Sequence, residues 1–232
     1  MGYPPEPWSL CGRMTVSVWA VPVAAVPPLP VELRGAVRVV RAGPRALVGA
    51  AWVDYRPGGD MSYRELLAAV LVRAGIRPRV TISHIWVDSA DSRDGGRELW
   101  GIPKDLAALE ITDTRASAGS IASVESTASA GSTASAGSIA SAGSIASAGS
   151  IASAGFGAAR PLLRLPVRFR CTQVLRGRPK TTPVRATARC GPAKAEWHFE
   201  PDGPLGFLAG RRPLLSLVAD DFRMSFGSAA QR

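Results

Sequence analysis

One stretch decides the fold class: Val80-Thr81-Ile82-Ser83-His84-Ile85-Trp86-Val87-Asp88. Residues 80, 82, 84 and 86 alternate with residues 81, 83, 85 and 87, and an extended strand places two such sets on opposite faces. The long apolar side chains and the β-branched residues favour a strand over a helix. His84 lies between Ser83 and Ile85, a setting typical of a hydrogen-bonded structural histidine.

Similar short apolar stretches occur on both sides of this strand and are separated by turns rich in proline and glycine. The predicted strands are Thr15–Pro22, 37–40, 46–53, 163–170, 182–188, 196–199, 214–218 and 222–226. The pattern predicts a mainly β (α+β) chain that forms an antiparallel barrel or sandwich with few short helices.

Length and composition limit the class of protein. The 232 residues suffice for one domain with a sizeable core. Three cysteines without a C-x-x-C spacing indicate neither a disulfide framework nor a zinc knuckle, and two histidines outside any ligand-spaced cluster argue against a metal enzyme. The uncharged stretch 14–31 is interrupted by four prolines, which disfavours a signal or membrane segment.

The net charge of +10 comes from one segment of the chain. Residues 160–195 contain ten basic groups and no acidic group, whereas residues 1–114 contain 13 basic and 12 acidic groups. Phe169 is the only aromatic residue in the basic segment, so base stacking has little support. An anionic-surface or nucleic-acid binder therefore remains a minor alternative to a solvated or subunit-contact face.

Residues 115–159 contain a six-residue repeat, Ala-Ser-Ala-Gly-Ser-Ile. Hexapeptide repeats can form parallel β-helices, but each unit here offers a single isoleucine. Burying that side chain contributes about 2 kcal/mol, whereas ordering six residues costs about 6 to 12 kcal/mol. We therefore expect a disordered Ser/Ala/Gly insertion at 115–159 within a single domain formed by residues 1–114 and 160–232.

A polar loop at 89–96 is expected to lead into the segment Arg93-Asp94-Gly95-Gly96-Arg97-Glu98-Leu99-Trp100-Gly101-Ile102-Pro103-Lys104-Asp105-Leu106. Lys104 is one of only three lysines in a chain with 25 arginines. A desolvated lysine can become a neutral amine and attack a carbonyl group, whereas arginine stays charged. From spacing alone, a surface cation after a turn remains the simpler interpretation.

The segment Gly96-Arg97-Glu98 followed by Pro103-Lys104 resembles the active-site segment of the acetoacetate decarboxylase family. The resemblance continues through residues 55–59, 63–65 and 85–88, and covers most of the chain outside 115–159. It implies a cone-like β-barrel whose interior leads to the lysine. Residues 63–72 could open a helix with a capping box or form a strand, and the family fold favours the strand.

The resemblance also implies residue roles. Lys104 matches the lysine that forms a Schiff base with a substrate ketone, and Glu65 matches a nearby acid that can transfer protons. Arg97, Glu98 and Trp100 are the candidate substrate-binding residues, with Arg97 and Glu98 also expected to fix the turn that presents the lysine. No metal or organic cofactor is implied.

Two departures from the family pattern affect these expectations. Asp105 takes the place of a second lysine, and a carboxylate that met Lys104 would stabilise its ammonium form. Side chains of adjacent residues in an extended segment point in opposite directions, so Asp105 need not meet Lys104. Desolvation of the lysine could then outweigh the effect of the carboxylate on its pKa. The N-terminal arginine that holds the substrate carboxylate also has no counterpart near residues 17–19, which makes acetoacetate itself doubtful.

The sequence therefore predicts a Schiff-base lyase that decarboxylates a small-molecule β-keto acid, with aldol-type chemistry through the same imine also open. The main alternative is a non-catalytic barrel that binds a small ligand. We further expect a homo-oligomer in the cytoplasm that contacts neither membrane nor metal.

Overall fold

The computed structural model describes residues 2–120, 149–159 and 163–228. These ranges contain one α-helix and thirteen strands, in chain order β1 Trp8–Pro22, β2 Arg38–Val39, β3 Arg41–Ala42, β4 Arg45–Tyr55, β5 Tyr63–Ala74, β6 Arg77–Val87, α1 Ala90–Trp100, β7 Lys104–Ile111, β8 Arg115–Ser120, β9 Ser150–Phe156, β10 Leu163–Leu175, β11 Arg178–Pro192, β12 Ala195–Phe199 and β13 Leu215–Phe226. Short 3-10 turns lie at Val23–Ala25, Val31–Leu33 and Gly206–Leu208. The predicted mainly β class is confirmed, and the ambiguous window at 63–72 is strand β5.

Seven strands close into a barrel in the order β6, β5, β4, β1, β13, β11, β10 and back to β6. Neighbouring strands pair antiparallel throughout most of this ring. The ring closes between β10 and β6, which pair in parallel at Cys171 and Val80. The sequence predicted an antiparallel barrel, and the parallel closure is the one departure from it among these pairings.

A second, smaller sheet branches from the barrel. Strand β7 pairs in parallel with β6, and β8, β9 and β12 follow it in antiparallel order. This sheet covers the outer face of β4 and β5, where Trp52 and Leu66 are fully buried. The barrel therefore has apolar side chains on both faces of these strands.

Strands β8 and β9 lie inside the block that we expected to be disordered. Their small side chains at 116, 118, 152 and 154, together with Ile151, pack into the core between the two sheets. The sequence argument treated each repeat unit as isolated, whereas here the ends extend the β7 sheet and pack against large barrel side chains. The expected disorder is thus wrong for Arg115–Ser120 and Ser150–Phe156, and the rest of the repeat, 121–148, lies outside the described residues.

The alternation along β6 reverses once. His84 pairs with Ala68 and Ile82 pairs with Ala69, so Ser83 forms a β-bulge. As a result Ile82 and Ile85 both line the barrel interior, although the sequence analysis assigned them to opposite faces. A bulge is invisible to a strict period of two, which is why the sequence misplaced the end of this strand.

The basic segment also has a defined orientation. Phe169 faces the barrel interior on β10, so it does not stand among the arginines of that strand. This arrangement weakens the nucleic-acid alternative further, because stacking needs an aromatic ring on the basic face. All three cysteines are free, and no group of three His, Cys, Asp or Glu side chains suited to a metal occurs within the described ranges. None of the helices in those ranges is long and apolar enough to cross a membrane.

Candidate active site

Helix α1 occupies most of the stretch that we expected to be a polar loop. Ser89 is its N-cap and accepts a hydrogen bond from the backbone N–H of Ser92. Gly101 ends the helix in the left-handed conformation, with φ of 67°. The cap signals were present in the sequence, but two adjacent glycines inside the helix disfavour it by about 1 kcal/mol each.

The helical glycines have a steric role at the site. A Cβ atom on Gly96 would lie 2.7 Å from Cδ and 2.9 Å from Cε of Lys104. Glycine at this position therefore leaves space for the lysine stem to pass the helix. Gly95 plays the same part toward Trp8, because a Cβ there would lie 2.6 Å from the indole ring.

Lys104 begins β7, and its side chain is enclosed by protein. Its exposed fraction is 3%, and Nζ donates to Glu65 Oε2 at 3.0 Å, Ser92 Oγ at 2.9 Å and Tyr63 Oη at 3.2 Å. The ring of Tyr63 lies 4.8 Å from Nζ, in the range of a cation–π contact. Three acceptors around one nitrogen match the three donors of an ammonium group.

The charge of Lys104 differs from the neutral amine that we expected. Burial lowers its pKa, but the Glu65 carboxylate and Tyr63 raise it by more, so the pKa lies above its ordinary value. The sequence analysis named Glu65 as a nearby acid for proton transfer, but it considered only desolvation and Asp105 as influences on the charge of Lys104. Nζ of Lys104 and Oε2 of Glu65, 3.0 Å apart, have the geometry of a buried ion pair.

Glu65 and two tyrosines complete the polar group around the amine. Glu65 is 3% exposed, and the hydroxyl of Tyr55 donates to its Oε1 at 3.3 Å. Burial is the largest cause that raises the pKa of Tyr55 and of Tyr63, so both hydroxyl groups stay protonated at neutral pH. The sequence analysis assigned no role to Tyr55, Tyr63 or Ser92. The i, i+2 spacing of Tyr63 and Glu65 on one strand face was the available signal.

A cavity of about 520 Å³ fills the barrel interior, and Lys104 lies in its wall. The polar side chains at its tyrosine-rich end are Tyr55, Tyr63, Glu65 and Lys104, and most of the remaining wall is apolar. Among the described residues that line it there is no arginine. The site can thus bring a carbonyl compound against one amine and one carboxyl group in a largely apolar environment.

The other predicted site residues lie in different positions. Trp100 lines the cavity and packs edge-on against Trp8, with ring centroids 4.7 Å apart. Arg97 does not line it: its Nε donates to the backbone oxygen of Lys104 at 2.6 Å, and its guanidinium pairs with Asp105. Glu98 is exposed and accepts a hydrogen bond from Tyr3.

Arg97 therefore holds the start of β7 by contacting the lysine backbone and the neighbouring carboxylate. Asp105 points away from the amine, as alternation in an extended segment requires, and its side chain is 66% exposed. The carboxylate next to the lysine in sequence is not the one that controls its charge.

The closed seven-stranded barrel has the acetoacetate decarboxylase-like fold. The sequence model of acetoacetate decarboxylase matches residues 16–142, which is more than half of the chain. The chain belongs to the acetoacetate decarboxylase family.

Solved structures share the fold. An acetoacetate decarboxylase from Legionella pneumophila aligns with a TM-score of 0.63 at 16% identity, over 98% of this chain and 87% of that chain. The enduracididine biosynthesis enzyme MppR, in complex with pyruvate, aligns with a TM-score of 0.54 at 16% identity, over 97% of this chain and 88% of that chain. An acetoacetate decarboxylase-like enzyme from Sphingomonas wittichii RW1 aligns with a TM-score of 0.52 at 13% identity, over 96% of this chain and 90% of that chain. No protein with a curated description matches the sequence.

Proposed function

We propose that this protein is a Schiff-base-forming lyase that decarboxylates a β-keto acid through an imine on Lys104. The observation that carries the proposal is the position of that amine, 3% exposed and 3.0 Å from the Glu65 carboxylate, in the wall of a cavity large enough for a small molecule. The similarity to a pyruvate-bound barrel supports a carbonyl ligand.

Glu65 is the base that frees the nucleophile. Its Oε2 accepts a hydrogen bond from the ammonium group of Lys104, so a single proton transfer gives a neutral amine and a neutral carboxylic acid. Both charges of a buried ion pair have lost solvation by water, and the transfer removes both of them. A ligand that fills the cavity displaces water and favours this neutral pair.

The covalent step follows from that pair. The Lys104 nitrogen bonds to the ketone carbon, and the carbonyl oxygen leaves as water with one proton from the amine and one from Glu65. In the resulting iminium ion the bond to the carboxylate carbon breaks, its electron pair moves into the iminium system, and CO₂ leaves. A proton then adds to the enamine carbon, and water hydrolyses the iminium to release the ketone and the lysine. The net reaction consumes one proton from solvent.

A ligand-binding barrel without chemistry is the second candidate. It is favoured by the raised pKa of Lys104, because a protonated amine is not a nucleophile. Burial lowers this pKa, but Glu65 and Tyr63 raise it by more. The lack of an arginine among the described lining residues also favours it, because no fixed cation is there to hold a substrate carboxylate.

Reductive trapping separates the two candidates. The protein is incubated with acetoacetate or pyruvate and borohydride, and the modified lysine is located by mass spectrometry. A lyase gives a stable adduct on Lys104 and none in the Lys104→Met variant, together with CO₂ release from acetoacetate without reductant. The matched control is Lys180→Met, because the Lys180 amine pairs with Glu6 and lies outside the cavity lining. Absence of an adduct with every keto acid tried favours the binding protein.

A further inference from the structure

The inner wall of the cavity is apolar over a long distance from the amine. On β5 the wall begins at Tyr63 and Glu65 and continues through Leu67, Ala69 and Leu71. Six residues separate Glu65 from Leu71, which corresponds to roughly 20 Å along the strand. With a strand tilt of about 40° in a small barrel, the wall extends roughly 15 Å along the barrel axis.

The apolar inner face continues past the cavity to the open end of the barrel. On β10, Leu163 and Leu165 have the same alternation as Val167 and Phe169, which line the cavity, yet they are 64% and 44% exposed. These leucines extend the inner wall into solvent at the end opposite the amine.

Strand β13 repeats this arrangement. Leu217 pairs with Val16 and Leu215 pairs with Val18, and both valines line the cavity. Directly paired residues share a sheet face, so these leucines also belong to the inner wall. They are 41% and 47% exposed. Exposed apolar side chains that continue a cavity wall are typical of a ligand entrance.

We infer that the ligand is a carbonyl compound with a long apolar chain, which fills the barrel from Lys104 toward the leucine rim. This inference rests on the proposed function for the identity of the reacting group. The cavity of about 520 Å³ has room for roughly 17 water-sized groups at about 30 Å³ each. A four-carbon β-keto acid offers about seven non-hydrogen atoms and a twelve-carbon one about 15, so the longer acid matches the volume.

Chain length also affects the reacting pair. Each methylene group moved from water to this wall strengthens binding about fourfold. A longer chain excludes more water from around Glu65 and Lys104, which favours the neutral amine that attacks the carbonyl carbon. Longer ligands are thus expected to bind more tightly and to be trapped faster.

A series of methyl ketones with about three, seven and eleven carbons tests the inference. Trapping on Lys104 is measured with cyanoborohydride, and binding without reductant is measured by quenching of tryptophan fluorescence, because Trp8 and Trp100 line the cavity. We expect trapping efficiency and affinity both to rise by at least about a hundredfold across the series, which leaves room for incomplete burial of the chain.

The outcomes distinguish this inference from the proposed function. Equal trapping at all chain lengths overturns the long-chain inference and leaves the lyase proposal standing. Chain-length-dependent quenching with no adduct supports the apolar ligand class and overturns the lyase proposal. Neither quenching nor trapping overturns both.

A substitution inside the wall provides a second test. Ala69→Leu adds volume to the cavity lining on β5, and is expected to weaken binding of the eleven-carbon ketone by at least about tenfold while the three-carbon ketone loses less. The control is Ile76→Ser, because Ile76 is apolar and 95% exposed at a hairpin turn and does not line the cavity. Unchanged binding of the long ketone to Ala69→Leu overturns the inference.

Discussion

The ion pair between Lys104 and Glu65 predicts a strong coupling in protein stability. At 3.0 Å and an effective dielectric constant of about 20, the attraction between the two charges is about 5.5 kcal/mol. Removal of one partner from such a buried pair typically costs about 3–5 kcal/mol, since the other charge remains buried without compensation. We expect a loss of this size for both Lys104→Met and Glu65→Leu.

The double variant should recover most of the lost stability, because two apolar side chains of similar size replace the pair. The measurement is the free energy of unfolding in urea at neutral pH for the wild type, both single variants and the double variant. Thermal unfolding gives a parallel readout, and a loss of about 3–5 kcal/mol corresponds to roughly 6–20 °C for a chain of this size.

The exposed pair Arg97 and Asp105 is the matched control, since its side chains are 49% and 66% exposed. Its coupling energy should stay below about 1 kcal/mol because solvent screens the charges. Additive effects of Lys104→Met and Glu65→Leu, with a coupling energy below about 1 kcal/mol, would show that the two groups do not form a buried ion pair.

Three further predictions concern the same site. Gly96→Ala should slow reductive trapping at Lys104 and destabilise the protein by about 1–3 kcal/mol, since the new Cβ would lie 2.7 Å from the lysine stem. The control is Gly35→Ala, whose new Cβ would have no atom within 4 Å, and it should change neither the trapping rate nor the stability. Asp105→Ala should leave the trapping rate of Lys104 within about twofold of the wild type, measured by mass spectrometry, because its carboxylate pairs with Arg97; a large acceleration would mean that Asp105 holds the amine in its charged form. Finally, the raised pKa of Lys104 contributes stability that is fully present below its ordinary value of 10.5 and is lost as the pH rises through the higher value in the folded protein. Urea unfolding should therefore show a constant difference in stability between the wild type and the double variant Lys104→Met/Glu65→Leu up to about pH 10.5, and a fall of the wild type relative to the double variant only above that pH. A relative fall near neutral pH would contradict the raised pKa.

The strand pattern of this chain could be predicted because both faces of many strands are apolar and the turns are marked by proline and glycine. Helix α1 was missed because Gly95 and Gly96 disfavour a helix locally, although steric clearance for Trp8 and Lys104 requires glycine at both positions. Strands β8 and β9, at the two ends of the repeat, were missed because nothing in their own sequence favours a strand. Their alanines are too small to support a core alone, and they become ordered only against Trp52 and its neighbours in the barrel wall.

The sequence analysis named the two side chains that the structure brings together, Lys104 and Glu65, but it did not predict their electrostatics. Resemblance gave Lys104 and Glu65, whereas the distance between them depends on the pairing of β5 with β6 and of β6 with β7. The register of the first pairing near Glu65 depends on the bulge at Ser83, and the second is a parallel pairing across helix α1, which the sequence analysis missed, so neither could be read from the sequence. The sequence therefore directed attention to Asp105, the adjacent carboxylate, which faces solvent.

The same geometry explains why a raised lysine pKa is compatible with a nucleophilic lysine. A charged amine that faced water would have to lose its proton to solvent before it could attack a carbonyl carbon. A raised pKa would make that loss unfavourable at neutral pH. Lys104 instead holds its proton in a hydrogen bond to Glu65, inside a wall that is otherwise largely apolar. The barrier to attack thus depends on the balance between an ion pair and a neutral pair, and that balance depends on how much water the ligand excludes. A short keto acid leaves room for water beside the pair, whereas a chain that reaches the leucine rim does not, so the shape of the cavity and the reactivity of the amine both select the same ligand.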